Sequence, residues 1–579
     1  TRKKHDASYP FNAIEFVLNF AKIKLSEVDQ IIFFEKPFLK FERLLETYVA
    51  FAPRGYKSFS MAIPIWLKNK LFQKKMLFEE LKRHDLNFKD IKKIYFSEHH
   101  LSHAASAFFP SPFEEAIVLT ADGVGEWATT TVAIGKKNNL EIKKEIHFPH
   151  SLGLLYSAFT YYTGFKVNSG EYKLMGLAPY GEPIYDDKIK NNLIDIKRDG
   201  SFHLDQSFFS YATNLTMTNK KFDRLFGQKA RDPRHEKLTQ FHMDIAASIQ
   251  KVTEDIMIKI AKSLKKEFKI SNLCLAGGVA LNCVANGKIL KEKIFDNIWI
   301  QPAAGDAGGS LGAALALWYI EYNNPRKINS KDDMKGSYLG PEYSQKEIEE
   351  QLNEAGAIYE ILSDEELIDK TATDLSQEKA VGWFQGRMEF GPRALGARSI
   401  LADPRSDNMQ KNLNLKVKYR ESFRPFAPSV LKEDLSEWFD INIDSPYMLM
   451  VSNINKDKII EMTEDQKKLF GIDKLNIKRS EIPSVTHVDY SARIQTVTED
   501  TNKKYFNLIK KFKEKTGCPI LVNTSFNVRG EPIVNTPLDA FKCFMGTDLD
   551  KLIIGNCHLD KRKQNLLIKE NYSHKFQLD

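Results

Sequence analysis

Two glycine-rich loops, each lying between a predicted strand and a predicted helix, constrain the fold of this chain more than any other feature. The first loop, residues 276–282, follows a short apolar strand that begins at Asn272, and the second, residues 305–312, leads into an apolar helix. A strand, a glycine loop and a helix in this order direct free backbone amides and the positive end of the helix toward an anion. One such loop is weak evidence, because glycine also permits tight turns. Two of them favour a nucleotide-binding fold.

A predicted hairpin supplies a third turn of this kind. Its first strand, residues 116–119, leads to Asp122 and Gly123, and its second strand covers residues 129–134. The hairpin and the two loops together predict the split-strand nucleotide cradle of the actin and sugar-kinase fold. The chain has no Walker A lysine motif, which disfavours a P-loop enzyme.

Length and the alternation of elements predict two α/β domains. At roughly 100–200 residues per domain, 579 residues are too many for one core. The polar segment 323–345 lacks an apolar period and is the predicted linker. Beyond it, predicted strands such as 381–384 and 520–522 alternate with helices, which is typical of α/β domains. We therefore expect a first domain at 1–335 and a second at 345–579.

Charge and hydropathy disfavour two classes of partner. The net charge of +8, from 84 basic and 76 acidic residues, is spread along the chain, whereas nucleic-acid binders concentrate Lys and Arg on one face. The lysine-rich stretches 68–75 and 82–93 alternate with apolar residues and predict solvated helix faces. No apolar stretch approaches the roughly 18–20 residues that span a bilayer. We expect neither a nucleic-acid nor a membrane partner.

Cysteine usage indicates the compartment. The five cysteines are odd in number and contain no CxxC pair. This usage predicts buried thiols in a reducing cytoplasm rather than a disulfide framework or a thiolate zinc site. The five are Cys274, Cys283, Cys518, Cys543 and Cys557.

A histidine pair offers the first candidate metal ligands. Residues 98–108 contain good helix formers and no breaker before Pro110, so His99 and His103 are expected one turn apart on the same helix face. Two imidazoles at this spacing chelate one metal, although a pair of polar helix residues is the simpler alternative. A zincin protease requires Glu directly after the first His, and His100 occupies that position.

Two distant aspartates fit the same site. Asp122 follows an apolar strand at the glycine turn, where its alternative role is to form that turn. Asp306 lies in the small-residue loop before an apolar helix, where its alternative role is a helix N-cap. Two His and two Asp would form a mixed nitrogen and oxygen site, which suits iron, manganese or zinc.

Arginines in the second half form a candidate site for anions. Several lie beside Gly and Pro rather than in a helical charge pattern, and the strand near residue 521 ends with further hydrogen-bond donors. Guanidinium groups bind phosphate through two parallel hydrogen bonds, and two anionic substrates require several positive charges. Solvated ion pairs and turn residues are the alternative roles. The candidates for nucleotide and carbamoyl-phosphate binding are Arg387, Arg393, Arg398, Lys418, Arg424, Asn523, Ser525 and Asn527.

Long motifs in both halves carry a family resemblance. The first half contains, in order, HHLSHAASAF, LTADGVGEW, NSGEYKLMGLAPYGEP, LAGGVALN and PAAGDAGGSLGAA. The second half contains FQGRMEFGPRALGARSILADPR, KVKYRESFRPFAP and ILVNTSFNVRGEPIVNTPLDAF. These motifs resemble those of the O-carbamoyltransferases of the NodU/CmcH type, and the resemblance covers nearly the whole chain.

The resemblance implies the folds and cofactors of two domains. The first would be an actin-like ATPase domain, similar to the threonylcarbamoyl-transferase domain of tRNA modification, and the second a YrdC-like domain that forms carbamoyl-adenylate. The first domain would hold a divalent metal, iron in first place with manganese or zinc as alternatives. The implied metal ligands are His99, His103, Asp122 and Asp306, the same four residues. Candidates for nucleotide or adenylate binding in this domain are Gly123, Gly277, Gly278 and Asn282.

The same resemblance implies the reaction. Carbamoyl phosphate is cleaved, the carbamate captures the α-phosphate of ATP with Mg²⁺, and the carbamoyl-adenylate gives its carbamoyl group to a hydroxyl of a small molecule, a sugar or secondary metabolite. Two alternatives stay open. A tRNA-modifying carbamoyl transferase would need a focused basic surface, and a non-catalytic actin-like nucleotide-binding protein would need neither the metal residues nor the arginine-rich domain. A homodimer is left open.

The acceptor pocket has only weak candidates. Lys4, His5 and Lys173 are the candidate catalytic residues, and structural ion pairing is the alternative for each. The opening RKKHD, residues 2–6, resembles a basic motif that the family carries shortly after its first strands. The strand and phosphate-facing loop that would precede it are missing from this sequence, so we expect an N-terminally truncated chain.

Overall fold

The computed structural model describes residues 1–69, 72–421, 423–565, 572 and 576. It shows a mixed α/β protein that divides into two compact units. The first unit comprises Thr1, Ala7–Met175 and Glu182–Asp333, and the second comprises Arg2–Asp6, Gly176–Gly181 and the described residues from Met334 onward. Among the described helices, none combines the length and apolar character that a membrane span requires.

The strands of the first unit are β1 (Ile31–Phe33), β2 (Ile94–Phe96), β3 (Glu115–Ala121), β4 (Ala128–Lys136), β5 (Asn139–His147), β6 (Ile194–Ile196), β7 (Phe202–Leu204), β8 (Asn272–Ala276) and β9 (Asn297–Ile300). In the described residues, five of them form one sheet in the order β5-β4-β3-β8-β9. Strand β4 runs antiparallel to β3 and β5, whereas β3, β8 and β9 are parallel. Thr120 pairs with Ala276, so β3 and β8 end side by side. The carboxyl ends of parallel strands are where α/β folds place their ligands.

The helices of the first unit are α1 (Phe11–Ala21), α2 (Pro37–Phe51), α3 (Tyr56–Asn69), α4 (Gln73–Leu81), α5 (His99–Phe108), α6 (Leu152–Tyr162), α7 (Glu171–Leu177, whose last residues belong to the second unit), α8 (Asp186–Asn192), α9 (Lys220–Phe226), α10 (Gln240–Phe268), α11 (Cys283–Lys291) and α12 (Ala307–Ala316). Helix α10 begins with a capping box in which Thr239 and His242 exchange hydrogen bonds. Helices α5 and α12 pack directly against each other, because Gly312 has no side chain: a Cβ there would lie 1.7 Å from the carbonyl oxygen of Ser102.

The strands of the second unit are β10 (Glu360–Ile361), β11 (Val381–Phe384), β12 (Arg398–Ala402), β13 (Ala427–Leu431), β14 (Met450–Asn453), β15 (Ser491–Val497), β16 (Ile520–Ser525), β17 (Lys551–Ile554) and β18 (Cys557–Asp560). As far as the chain is described, they form one mixed sheet in the order β10-β18-β17-β11-β12-β16-β13-β15-β14. The central strands β11, β12 and β13 are buried along their whole length. Strands covered on both faces need such continuous burial, which explains their lack of polar alternation.

The helices of the second unit are α13 (Gln345–Glu354), α14 (Asp364–Ser376), α15 (Met409–Asn412), α16 (Leu435–Trp438), α17 (Glu464–Lys467), α18 (Lys503–Thr516) and α19 (Pro537–Met545). Their starts are encoded locally. Ser344 and Ser363 each form a capping box with a glutamate three residues later. Helix α19 combines an N-cap at Thr536 with Pro537 in its first turn, where the missing amide costs nothing.

The local predictions agree with these elements. The predicted hairpin is formed by β3 and β4, the predicted histidine helix is α5, and all five cysteines are buried and unpaired. The predicted linker 323–345 contains the change of unit at Asp333–Met334. Two short segments depart from the expectation of consecutive domains, because residues 2–6 and 176–181 belong to the second unit. Within the stretch 68–75, Lys70 and Leu71 lie outside the described residues.

Candidate active site

Helix α5 directs two imidazole rings toward the same position. His99 and His103 lie one helical turn apart, both rings are buried, and their Nε2 atoms are 3.1 Å apart. The helix begins at His99, whose backbone N–H donates to both carboxylate oxygens of Glu126 at 3.1 Å. A carboxylate at a helix N-terminus satisfies an otherwise unpaired amide and interacts favourably with the helix dipole. Glu126 therefore fixes where the histidine helix starts.

Asp122 approaches the same point from the end of β3. Its Oδ2 lies 3.0 Å from His99 Nε2 and 3.2 Å from His103 Nε2. Its Oδ1 accepts a hydrogen bond from the backbone N–H of Gly278 at 3.2 Å, in the loop after β8. The carboxylate thus bridges the ends of two adjacent strands. It is directed away from its own turn, which disfavours the alternative role of a turn residue.

Asp306 completes the cluster from the residue before α12. Its Oδ1 is 3.6 Å from the Nε2 atoms of both His99 and His103. The alternative role for Asp306 was a helix N-cap, but its side chain accepts no capping hydrogen bond from α12. The close packing at Gly312 is what brings this end of α12 near the histidines.

The four residues fit a metal ion. Within the described residues they are the group of His, Cys, Asp and Glu whose ligand atoms converge, all within 4.8 Å of one another. Atoms that bind one metal at about 2.1 Å are about 3.0 Å apart in octahedral and about 3.4 Å apart in tetrahedral geometry. The separations from 3.0 Å to 3.6 Å in this cluster bracket both values. Two imidazole lone pairs that face each other at this distance also repel unless a proton or a cation lies between them.

The electrostatics of the cluster favour a bound cation. Burial acts to lower the pKa of His103, but the carboxylates of Asp122 and Asp306 outweigh it and raise the pKa to about 9. Burial acts to raise the pKa of Asp122, and hydrogen bonds and charge from His103 and His99 instead hold that pKa well below its usual range. The site therefore already stabilises a positive charge between its carboxylates.

His100 has a different role from its neighbours. Its Nδ1 lies 2.9 Å from the hydroxyl oxygen of Thr120, and burial followed by repulsion from His103 and His99 lowers its pKa to about 3. A neutral, buried imidazole bonded to β3 packs α5 onto the sheet. Gly125 allows this packing, since a Cβ there would lie 2.9 Å from the His100 ring.

The glycine loop after β8 positions Asp122. Gly277 has φ +85°, and a Cβ there would lie 2.3 Å from the carbonyl oxygen of Ala121, so β3 and this loop approach closely. The expectation of free amides is not met at two positions, because the Gly277 N–H donates to Ala304 and the Gly278 N–H donates to Asp122. Gly123, next to Asp122, faces open space.

Two further residues of the first unit have structural contacts. Asn282 is the N-cap of α11: its Oδ1 accepts from the Ala285 N–H at 3.1 Å, and its amide exchanges hydrogen bonds with Gln250. Lys173 is buried in α7 and is only 2% exposed. The neighbouring Glu171 accepts from the Ser157 hydroxyl at 2.8 Å.

In the second unit, Lys418 contacts two other predicted ligand residues, Ser525 and Asn527. Its ammonium donates to the carbonyl oxygens of Ser525 and Asn527 and to Asn527 Oδ1, each at 2.7 Å. All of these acceptors are neutral, and in the described part of the chain no carboxylate lies within ion-pair distance of Lys418. Burial lowers the pKa of Lys418 well below its usual range, and the charges of Arg420, Arg424 and Lys4 act in the same direction.

Two of the predicted ligand residues instead point into the core. Arg398 is fully buried, stacks 3.5 Å from the ring centroid of Phe384, and donates to the carbonyl oxygens of Gln385, Gly386 and Pro341 at 3.1 Å. Its burial lowers its pKa to about 10. Asn523 donates to Gln495 and Ser429 within the sheet and to the carbonyl oxygen of Ala394 in the loop before β12.

The remaining arginines differ in their surroundings. Arg387 donates to the carbonyl oxygens of Leu339 and Gly340, and Arg393 is half-buried. Arg424 lies 3.7 Å from the carboxylate of Glu421. Of the eight predicted anion-binding residues, the structure thus brings Lys418, Ser525 and Asn527 into direct contact.

The opening segment belongs to this unit. Arg2 forms a 2.6 Å ion pair with the buried carboxylate of Glu531 and a second one with Asp539 at 3.3 Å. These contacts hold residues 2–6 on the second unit, where the charge of Lys4 acts on Lys418 while His5 is exposed.

Comparison with known proteins identifies the family. The family model for the carbamoyltransferase N-terminus matches residues 1–315, and the model for the carbamoyltransferase C-terminus matches residues 372–561. The chain belongs to the carbamoyltransferase family.

Related sequences span most of this chain. It is 57% identical to the uncharacterized protein sll1178 of Synechocystis over 100% of this chain and 95% of that protein. It is 36% identical to the nodulation protein NolNO of Sinorhizobium fredii over 97% of this chain and 76% of that protein. Among solved structures, HypF of T. kodakarensis matches with a TM-score of 0.22 and 15% identity over 42% of this chain and 39% of that one.

Some functional residues of this carbamoyltransferase were missed by sequence reasoning. Glu126 lies within the LTADGVGEW motif, but it caps α5, which comes earlier in the chain. No pattern of adjacent residues indicates such a distant cap. Arg420, whose charge acts on Lys418, and Gln250, which exchanges hydrogen bonds with Asn282, were not selected either. For the helix start at His99, the sequence signal was that position 98 holds Glu rather than Ser, Thr, Asp or Asn, the usual N-cap residues.

Proposed function

We propose that this carbamoyltransferase makes carbamoyl-adenylate from carbamoyl phosphate and ATP and then carbamoylates a hydroxyl of a small molecule, a sugar or secondary metabolite. The first unit would have the actin-like fold and the second the YrdC-like fold. Formation of the adenylate is assigned to the second unit and transfer to the first. Family membership supports the transfer, and the two sites described above support this division of steps.

The observation that carries the proposal is the cation cluster around Lys418. The Lys418 ammonium is buried and contacts neutral oxygens, and no carboxylate of the described residues lies within ion-pair distance of it. The charges of Arg420, Arg424 and Lys4 also act on it. A phosphate or carboxylate group bound there would supply a compensating negative charge and would raise the pKa of Lys418 toward its usual value. Carbamoyl phosphate and ATP are both anions of this kind.

The chemistry assigned to the second unit has two steps. Water cleaves carbamoyl phosphate to carbamate and phosphate. A carbamate oxygen then attacks the α-phosphorus of ATP, the bond between the α-phosphorus and the bridging oxygen breaks, and pyrophosphate leaves. Lys418 would neutralise charge on the reacting phosphates, while Ser525 and Asn527 hold its ammonium in place. The AMP of the product is the leaving group that carbamate itself lacks.

In the first unit, His99, His103, Asp122 and Asp306 would hold a divalent metal, iron in first place with manganese or zinc as alternatives. When bound, it would supply a Lewis acid that polarises the carbamoyl oxygen. The chain's own contribution is to fix the ligands: Glu126 sets the start of the histidine helix, and Gly278 orients Asp122. The acceptor oxygen attacks the carbamoyl carbon, the bond to AMP breaks, and the acceptor proton is released.

A pyrophosphate-release assay tests the first step. Purified protein is given ATP and Mg²⁺ with and without carbamoyl phosphate, and no acceptor is present. We expect release that depends on carbamoyl phosphate. Lys418→Met should lower it by about 100-fold or more, since one charge contact to a phosphate in a buried site contributes about 3 kcal/mol. Lys346→Met, which removes an exposed lysine of the same unit, is the matched control.

A second variant tests the division between the units. His103→Ala should retain pyrophosphate release while its metal content, measured by inductively coupled plasma mass spectrometry, falls below that of the wild type. Equal loss of both properties in a folded His103→Ala protein would contradict the assignment of the two steps to two sites. Wild-type release that is indifferent to carbamoyl phosphate would contradict the donor.

A further inference from the structure

A cavity in the second unit has no role in the proposed reaction. Its volume is about 180 Å³, and its lining residues come from the segments 407–411 and 475–487, with Tyr180 and Pro425 completing the wall. Lys418 is not a lining residue, so this cavity is separate from the cation cluster described above. We call it the Arg479 cavity, after the buried guanidinium in its wall. Cavities with a few placed polar groups are where small molecules bind.

The lining of the Arg479 cavity carries an excess of positive charge. Lys411, Lys478 and Arg479 are its basic residues, and Asp407 is its acidic residue. The Asp407 carboxylate lies 3.2 Å from the Lys478 ammonium, and the four charges together sum to +2. Lys411, Lys478 and Asp407 are exposed, which indicates that the cavity opens to solvent. A bound dianion would balance this charge.

Arg479 contributes a buried charge that lacks a carboxylate partner. The side chain is 3% exposed, and no carboxylate of the described residues lies within ion-pair distance of it. Its guanidinium donates to four carbonyl oxygens of one loop, those of Lys474, Ile477, Thr486 and His487. These contacts fix the shape of the loop and use four of the five N–H donors. A buried charge without a counter-charge is costly, and burial lowers the pKa of Arg479.

His487 is a second buried polar group whose hydrogen bonding is incomplete. The residue is 6% exposed, and among the described residues neither ring nitrogen has a hydrogen-bond partner. The nearest carboxylate oxygen, Oδ1 of Asp489, lies 3.6 Å from Nδ1. Burial lowers the pKa of His487, although Asp489 and the Gly176 backbone act in the opposite direction. The neutral ring therefore offers one N–H donor to a ligand in the cavity.

We propose that the Arg479 cavity binds a small phosphate-bearing dianion through Lys411, Lys478, Arg479 and His487. A phosphate group carries a charge of about −1.5 to −2 at pH 7, which matches the lining. Hydrogen bonds from charged donors to phosphate are about twice as strong as those between neutral groups. The ligand would also give His487 the partner that its N–H lacks. This site goes beyond the proposed function and does not depend on it.

A carboxylate and a nucleotide are poorer occupants of the same cavity. A monocarboxylate has one negative charge and leaves half of the +2 lining unbalanced. The volume of about 180 Å³ is smaller than the roughly 300–1,000 Å³ of pockets that hold drug-sized ligands, which disfavours a nucleotide. Inorganic phosphate and a small phosphate monoester remain, and both present the same dianionic group.

The test is titration calorimetry of the full chain with inorganic phosphate as the probe. The chain carries Lys418→Met, so that the anion site proposed around Lys418 does not contribute. We expect saturable binding of one phosphate per chain, and at least about tenfold weaker binding of acetate at equal ionic strength. Glycerol 3-phosphate distinguishes the two sources: its binding would assign a phosphate monoester, and its exclusion would assign free phosphate. Either result supports the dianion site.

The charged rim is tested in the same chain. Lys411→Met combined with Lys478→Met should weaken phosphate binding by at least about 30-fold, since each hydrogen bond from a charged donor contributes about tenfold or more. Lys346→Met combined with Lys503→Met removes two exposed lysines of the same unit that do not line the cavity. This control should bind phosphate with unchanged affinity. All four positions are on the surface, so circular dichroism should be unchanged.

His487→Phe separates a ligand contact from a structural role. It should weaken phosphate binding by about tenfold. In phosphate-free buffer it should raise the midpoint of thermal unfolding, because an apolar ring removes two buried nitrogens that lack partners. Phosphate should raise the midpoint of the parent chain by mass action, and that rise should shrink in the variant. A lower midpoint in phosphate-free buffer would show that His487 serves the fold and would overturn its assignment to the site.

A second measurement locates the anion directly. Tungstate, a phosphate analogue that anomalous X-ray scattering identifies, should lie beside Arg479 and His487 in crystals of the wild-type chain. Phosphate binding that the rim variant and its control reduce equally would overturn the proposal. Equal affinity for acetate and phosphate, or tungstate bound elsewhere with this cavity empty, would overturn it as well.

Discussion

Gly312 sets how closely α12 approaches α5, and Gly312→Ala should therefore damage the metal cluster. The Cβ of an alanine there would lie 1.7 Å from the carbonyl oxygen of Ser102, and a distance under 3.0 Å is not tolerated. The helices must separate by at least the difference, 1.3 Å. Asp306 precedes α12 and lies 3.6 Å from both histidine nitrogens, so a shift of this size removes it from the coordination distance of an ion held by His99 and His103.

The magnitude follows from this clash. Overpacking against a backbone costs about 1–3 kcal/mol, of which the better helix propensity of alanine recovers about 1 kcal/mol. The net cost of about 0–2 kcal/mol should lower the midpoint of thermal unfolding by no more than about 8 °C. Loss of one of four ligands should weaken metal binding by about 100-fold, since structural four-ligand zinc sites bind with about 10–16 kcal/mol in total.

The assay compares Gly312→Ala with Gly305→Ala. A Cβ at Gly305 would have its nearest neighbour at 3.9 Å, in ordinary contact with Leu281, although Gly305 lies next to Asp306. Titration calorimetry with Mn²⁺ or Zn²⁺ measures affinity, and differential scanning calorimetry measures stability. We expect Gly305→Ala to resemble the wild type in both. Unchanged metal affinity in Gly312→Ala would refute the reasoning that this close approach positions Asp306.

Three further substitutions test the supporting contacts. Burial lowers the pKa of His242 to about 4, so the stability that this residue contributes is complete above its ordinary pKa of about 6.5 and is lost as the pH falls from about 6.5 to 4. His242→Gln should remove about 1–2 kcal/mol of this pH dependence in urea titrations. A glutamine at this position can still accept the hydrogen bond from the Thr239 backbone N–H. Arg398→Met should lower the free energy of unfolding by about 2–4 kcal/mol, because it leaves buried carbonyl groups unpaired. Pyrophosphate release per folded molecule should stay intact. Selective loss of that release would instead show that Arg398 binds a ligand. Glu126→Gln should lower the free energy of unfolding by about 1–2 kcal/mol, because it removes the negative charge that caps the His99 N–H. Metal affinity should fall in proportion. If neither quantity changes, another group determines where α5 begins.

Local patterns predicted most of the elements that hold the site. The helix with His99, the hairpin that presents Asp122 and the strand that begins at Asn272 all follow from helix formers, apolar runs and glycine turns in adjacent residues. The assignment of residues 2–6 to the second unit could not be predicted in this way. It depends on the ion pair between Arg2 and Glu531, and no pattern in a sequence shows which distant carboxylate a guanidinium will meet.

The candidate residues separate by the same criterion. For Asp306, spacing permits either a helix N-cap or a metal ligand, and the backbone around Gly312 decides between them by bringing α12 against α5. For the basic candidates, composition predicts positive charge but not where each side chain points. Arg398 lies on a buried strand, and its guanidinium donates to carbonyl groups inside the unit. Lys418 follows a helical turn, and its ammonium contacts the end of β16. A charged residue on a strand that is covered on both faces has no solvent to reach, so it must find partners inside the fold. Arginines in buried strands are accordingly poorer candidates for ligand binding than cations that follow a strand or helix, and this criterion can be applied to a sequence once its central strands have been predicted.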